Sequence, residues 1–566
     1  MKLQSSRWLS AALLSCTLLI GQCAVAYADT ASAEPAKDMV LQAMTDELNR
    51  SMKDLHLEKK SRPYFIQFYC GDTDTKRIEF ELGHLIEFDD HAERLLEVDC
   101  HVGDPKFDNT ANLSTRSTAN ASRYVAMDDN YNDIRRSLWV LTDDAYKAAC
   151  EDLEKQEAYK RGHVVRNLCE SYSLIKPIVS VGALPGSPLQ IDKDWHERLR
   201  KLSLVFSKYP EIRKSWIVFE ANQHVIRCTT SEGTVLRFVW TPVSIGITAY
   251  ARCEDGEDVW DCNLLRVNDL KKLPSQEELE ASAKGLAENL LAYTRAERKN
   301  YYYGPVLFRP QASGELVEHG IAPKLCASPG DNLQPSGTLL RSMNTRILPK
   351  FLSLVDDPEL TGDGILNSTP FDDEAVPSKK VQLIEKGFLK ELLSSRTPVL
   401  PGQVSNGRFR GGQVVPSTLI MQVHKPTNVK EMETKLRQMA KEQGLKEAII
   451  VSKIVNQTPR LMNGDAKSAR SDTMQRVPAL EIYSVDVDSG KKKRVRGLLF
   501  RDFGLSAMQG IVAAGNDATP NYSVKFSGNI CSVVAPSLLV NNLELEDDGR
   551  NTLTPYPVSN PNFEPD

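Results

Sequence analysis

The stretch Gly304–Cys326, GPVLFRPQASGELVEHGIAPKLC, gathers the residues best suited to metal chemistry. Glu315, Glu318, His319 and Cys326 offer carboxylate, imidazole and thiolate groups. These types bind zinc and can leave one position for water. Zinc acidifies that water and a neighbouring carboxylate takes its proton, which is the chemistry of a metal-dependent hydrolase. Glu315 and His319 are four apart and so share a helical face. Three readings stay open. The metal site is gone, leaving Glu318 and His319 as polar surface or supporting residues. A rebuilt site uses Glu315 and His319 with Glu318 or Cys326. Or the site lies elsewhere in the chain. The 9 histidines are scattered, with no two at ligand spacing.

Other candidates are weaker. The acidic run Asp372-Asp373-Glu374 reads as a cation site, an acid/base pair, or a turn before the strand at Val381. Arg408 and Arg410, in the glycine-bearing loop 405–412, could grip a substrate carboxylate such as a peptide C-terminus, or belong to a solvated loop. Lys491-Lys492-Lys493-Arg494 reads as a solvated turn. No G-x-S-x-G elbow, P-loop or C-x-x-C pair occurs.

These residues need elements to position them. Tyr301–Phe308 reads as a strand feeding a short helix over Ala312–His319. Upstream, Val40, Met44, Leu48, Met52 and Leu55 recur at helical spacing. Alternating runs at 64–69, 78–82 and 96–102 predict a strand meander packed on that helix. A second helix is expected from Asp143 to Lys160, with Thr142 as its N-cap. Residues 180–194 look like a linker. Ser275 and Glu278 form a capping box that opens a helix running to about Arg298. The last third is strand-rich, with one helix over Val429–Gln443 closed by Gly444.

Length and composition set bounds. At 566 residues the chain exceeds one ordinary core. A net charge of -5 with mixed signs argues against a nucleic-acid binder. Lys2 and Arg7, an apolar run over Leu9–Ile20 and Ala26-Tyr27-Ala28 form a signal-peptide pattern, so a mature start at Asp29 and a periplasmic or extracellular location are expected. Gln22 before Cys23 disfavours a lipoprotein reading. No later run is long enough to span a bilayer. Nine of the 11 cysteines lie beyond the signal, and Cys253–Cys262 and Cys70–Cys100 are possible disulfides.

Taken in order, the motifs resemble the TldD/TldE (PmbA) family, of which TldD is the metallopeptidase member. The resemblance runs from about Met44 to Asp547. It rests on Val102-Gly103-Asp104, Phe107-Asp108-Asn109-Thr110, Leu138-Trp139 to Tyr146-Lys147, and Ser231-Glu232-Gly233-Thr234. Gly304-Pro305-Val306-Leu307-Phe308, Asp356-Asp357-Pro358, Phe371-Asp372-Asp373-Glu374-Ala375-Val376-Pro377 and Ser394-Ser395-Arg396 follow. Ser405-Asn406-Gly407, Arg496-Gly497 and Ala535-Pro536-Ser537-Leu538-Leu539 complete it. It implies an N-terminal α/β-type region, a β-rich C-terminal region and a two-subunit assembly. Active members carry His-Glu-x-x-x-Asp or His-Glu-x-x-x-His after the Gly-Pro-Val-Leu-Phe strand, and a later Cys ligand. Here those positions hold Glu318, His319 and Pro323, and Cys531 falls out of register for the late ligand.

The expectation is therefore an α+β protein divided into 1–28 (signal peptide), 29–190 (α+β), 191–300 (central), 301–546 (β-rich) and 547–566 (disordered tail). Its expected role is a metal-free, catalytically degenerate homologue that binds peptide or acts as a partner subunit. It would form a homodimer, or a heterodimer with a TldD-like paralogue. The alternative is an active metallopeptidase that cleaves unfolded peptides with zinc on an altered ligand set. A self-assembling envelope protein is a third reading.

Overall fold

In a computed structural model, residues 38–547 are described, apart from 114–116, 166–168, 328–337, 362–364, 366–368, 455–476, 502 and 527–528. The expected signal peptide and nearly all of the expected tail lie outside the described residues.

Two long strands organise the N-terminal lobe, β1 (Pro63–Glu81) and β2 (His84–Asp104). Side chains alternate along a strand, so each strand has two faces of different chemistry. Ile66, Phe68, Cys70, Val98 and Cys100 point into a core against α1 (Met39–Asp54) and α2 (Tyr131–Gly162). The interleaved Gln67, Tyr69, Glu97, Asp99 and His101 line the opposite face. The other edge of β1 pairs antiparallel with the strand Ile212–Thr230, which in turn pairs with Val235–Trp240 and Val243–Arg252. Helices α3 (Asp194–Ser203) and α4 (Gln276–Thr294) cover this second half, burying Trp195, Leu199, Leu286 and Leu290.

The C-terminal lobe stacks two mixed sheets, of eight and six strands. In the larger, the strand Tyr301–Phe308 runs parallel to Glu447–Ile454 and antiparallel to Leu538–Asp547. In the smaller, Leu352–Asp356 lies between Val381–Glu385 and Thr418–Val423. Between the sheets sits α5 (Pro310–Gly320), its Leu316 and Val317 in one core with Leu354, Val451, Val533 and Leu538.

Several expectations are corrected. No boundary falls at residue 190, because β1 and the strand Ile212–Thr230 belong to one sheet. Helix α2 starts at Tyr131, not Asp143, and its cap is Asn130, whose side chain accepts from the N–H groups of Asn132 and Asp133. The Thr142 hydroxyl instead donates to the Leu138 carbonyl inside the helix, at 2.6 Å. All nine cysteines in the described residues are free thiols. Register explains one case: Cys70 faces Leu96 and Cys100 faces Ile66. Among the described residues no helix is long and apolar enough to cross a membrane.

Candidate functional site

Pro310 opens α5 in its first turn, where its fixed φ suits the helix and its missing N–H costs nothing. The segment is helical as expected, yet it has almost no wet face. Glu315 and Glu318 are 0% and 1% exposed, so Glu318 is not a surface residue. A Glu315 oxygen accepts from Asn521 Nδ2 at 3.2 Å, and its other oxygen lies 3.7 Å from His319 Nε2. The His319 ring meets Phe503 edge-on, with centroids 5.7 Å apart. Burial drives the Cys326 thiol far above its ordinary pKa, helped by Asp356, and that thiol donates to the Ala322 carbonyl at 3.3 Å. Cys531 is likewise raised by burial, and next by the carboxylate of Glu318.

Zinc needs three protein donors converging on one point. Among the described residues, the one trio of donor atoms within 4.8 Å of one another is Cys253, Asp255 and Glu257, far along the chain from α5. Arg496 already neutralises that trio, at 2.6 Å from Asp255 and 2.5 Å from Glu257, while burial pushes the Cys253 thiol up to about 12. Glu315, His319 and Cys326 are not brought together, and Pro323 has no donor. Among the described residues, the donors around α5 do not converge as a catalytic zinc requires.

The structure places Arg408 and Arg410 differently from a substrate clamp. Arg408 is fully buried and holds its own chain's Asp356, along with the carbonyls of Asn406, Gly407 and Lys379. Arg410 donates to Thr369 Oγ1 at 3.1 Å and Ser378 Oγ at 2.8 Å. Asp372 serves a turn, accepting from the N–H groups of Glu374, Val376 and Phe409.

The rest of the acidic run opens onto a feature the sequence reading missed, a cleft of about 530 Å³ between the lobes. Gln67, Tyr69, Glu97, Asp99, His101 and Tyr172 form one wall; Asp373, Glu374, Thr397, Phe409 and Gly411 form the other. Burial, reinforced by Asp372, pushes Glu374 up to about 8. Burial also raises Asp373, despite the hydrogen bond from the Gly411 N–H at 2.7 Å. For His101 burial alone would favour the neutral ring, but Asp99 at 3.1 Å and Asp108 at 2.8 Å hold its pKa up to about 10. Behind this wall Arg396 stacks on Tyr172 and pairs with Glu232 at 2.7 Å. The signal in the sequence was the polar set alternating through β1 and β2.

Comparison with known proteins agrees with this architecture. Residues 301–547 match the model of the PmbA/TldA metallopeptidase C-terminal domain. A stretch of 87 residues is 33% identical to a metalloprotease of Archaeoglobus fulgidus; it covers 15% of this chain and spans only 20% of that relative's length. A Thermotoga maritima crystal structure, described as a candidate modulator of a DNA gyrase, superposes with TM-score 0.60 at 16% identity, over 89% of this chain and 99% of the other. TldE from Thermococcus kodakarensis gives 0.56 at 13%, over 89% and 100%. Fold and site thus define a two-lobed α+β protein with the scaffold of these structures. Residues 301–547 match the PmbA/TldA metallopeptidase C-terminal domain, and the fold around them is the one these structures share.

Proposed function

We propose that this protein is an exported, catalytically silent relative of the TldD-type metallopeptidases, which binds peptide or pairs with a TldD-like subunit. One observation carries the reading: the three motif positions after the Tyr301–Phe308 strand hold Glu318, His319 and Pro323, on a buried segment whose donors do not converge. Without three converging ligands no zinc-bound water is available for attack on a peptide bond. The same scaffold still keeps a cleft between its lobes, which supports binding without hydrolysis.

Elemental analysis of the full-length protein purified from its native compartment tests this. The expected result is no stoichiometric zinc and no chelator-sensitive hydrolysis of unfolded peptides. One zinc per chain that is lost in His319→Ala would overturn it and favour the altered-ligand enzyme, since Glu315 and His319 do remain neighbours. N-terminal sequencing of the same sample reads export directly, with Asp29 as the expected first residue.

A further inference from the structure

The inter-lobe cleft has the charge pattern of a receptor for a cation. Strand register sets Gln67 opposite Asp99 and Tyr69 opposite Glu97 on its floor. Asp373 and Glu374 face them across the gap. Among the described residues that line the cleft, His101 is the one base, and Asp99 and Asp108 already hold it. The charged groups that act on Glu97 are Asp373 and Asp99, both repulsive. Carboxylates crowded in this way are costly unless a proton or a positive charge joins them.

A second, independent feature points to a ligand. Gln67 and Tyr172 are only 8% and 3% exposed and both line the cleft. Gln67 Oε1 and Tyr172 Oη have no hydrogen-bond partner among the described residues. The Gln67 amide cannot be flipped without loss, because its Nε2 donates to the Asp373 carbonyl at 2.5 Å. Its oxygen is therefore an acceptor on offer. Buried polar atoms left in this state destabilise a fold, and a ligand N–H would relieve that.

No three of these carboxylates bring oxygens within 4.8 Å of one another, so they form no preassembled carboxylate metal site. The space suits an organic cation, with the rings of Tyr69 and Phe409 in its lining to pack against an alkyl stem or charged head. We propose that the cleft formed by Gln67, Glu97, Tyr172 and Asp373 binds a primary ammonium or guanidinium group, presented by a lysine or arginine side chain of an extended peptide. The peptide as source rests on the function proposed above; the cation site itself does not.

Fluorescence anisotropy on the full-length protein tests it with three probes: a labelled octapeptide with two central lysines, the same peptide with two glutamates, and cadaverine as competitor. The lysine peptide is expected to bind at least about tenfold tighter than the glutamate peptide, and to weaken as salt rises. Glu97→Gln should weaken it roughly fivefold. The substitution is isosteric and relieves repulsion, so folding is retained; a thermal melt checks this. Gln67→Leu should also weaken binding, by removing the acceptor. Equal binding of both peptides, or lysine-peptide binding indifferent to Glu97→Gln, would overturn the proposal, as would no binding of any probe. Cadaverine binding, read directly by isothermal titration calorimetry and lost in Glu97→Gln while neither peptide binds, upholds the cation site and removes the peptide reading instead.

Discussion

Glu374 shows how one side chain ties the acidic turn to pH. It faces Asp372 on its own loop, Asp99 on β2, and the backbone N–H and guanidinium of Arg396. Burial and Asp372 outweigh Arg396, so its pKa stands at about 8 in place of 4.5. The folded protein therefore keeps a proton that the unfolded chain releases. Stability from this proton is fully present below pH about 4.5 and is lost as pH rises to about 8. Asp372, raised by burial to about 6, adds the same sign over a lower window. His101, at about 10, adds it from the ordinary histidine range upward. Glu374→Gln makes the neutral state permanent. In urea unfolding, the wild type should lose stability relative to this variant between pH 5 and pH 8.5. Parallel pH profiles for the two proteins would show that Glu374 is ionised throughout.

At the scale of elements, α2 tests where a helix begins. Asn130 satisfies two N–H groups that the first turn leaves open, so Asn130→Ala should cost about 1 kcal/mol in chemical denaturation. Thr142→Ser keeps the bond to the Leu138 carbonyl and, with Thr142 in the helix interior, should change stability by less than about 0.5 kcal/mol. The misreading has a physical cause. Leu138-Trp139-Val140-Leu141 looks like a continuous apolar run, yet Leu138 and Leu141 are buried while Trp139 is 52% exposed, which is helical spacing. Local signals elsewhere were sufficient: the Ser275–Glu278 capping box, the Gly444 stop and the Asp488-Ser489-Gly490 hairpin are all present. Helix α5 was legible as a helix, but the burial of Glu318 was not. The sheets enclosing it include Leu352–Asp356 and Asn529–Ala535, distant in sequence, and polar residues at helical spacing ordinarily face water. The cleft needed still more, because Gln67 meets the Asp373 carbonyl across 306 residues of chain. Alternation says that β1 and β2 have a polar face; only the tertiary fold says what covers it.

At the scale of the molecule, one sheet takes strands from both sides of residue 190 in the chain. Fourteen positions pair β1 with the strand Ile212–Thr230, from Gln67–Thr230 to Phe80–Ile217. Asp38, at the start of α1, is buried in ion pairs with Arg227 and Arg237, each at 2.8 Å, on strands that follow the expected boundary. Val179–Val181 pairs with Val235–Arg237, so even the approach to the expected linker belongs to the sheet. A protease site inserted between Gly186 and Ser187 therefore cuts a surface connection and breaks none of this pairing. The two fragments should co-elute at the mass of the intact chain under native conditions and separate only in denaturant. Breaking a buried ion pair from one side costs about 3–5 kcal/mol, so Asp38→Ala should make the nicked protein, more than the intact one, prone to come apart. In the intact chain, covalent connection keeps the fragments at high effective concentration and masks part of that loss. Fragments that part without denaturant would restore a boundary near 190, and with it a cleft whose β1–β2 floor could move independently of the sheet from Ile212 onward.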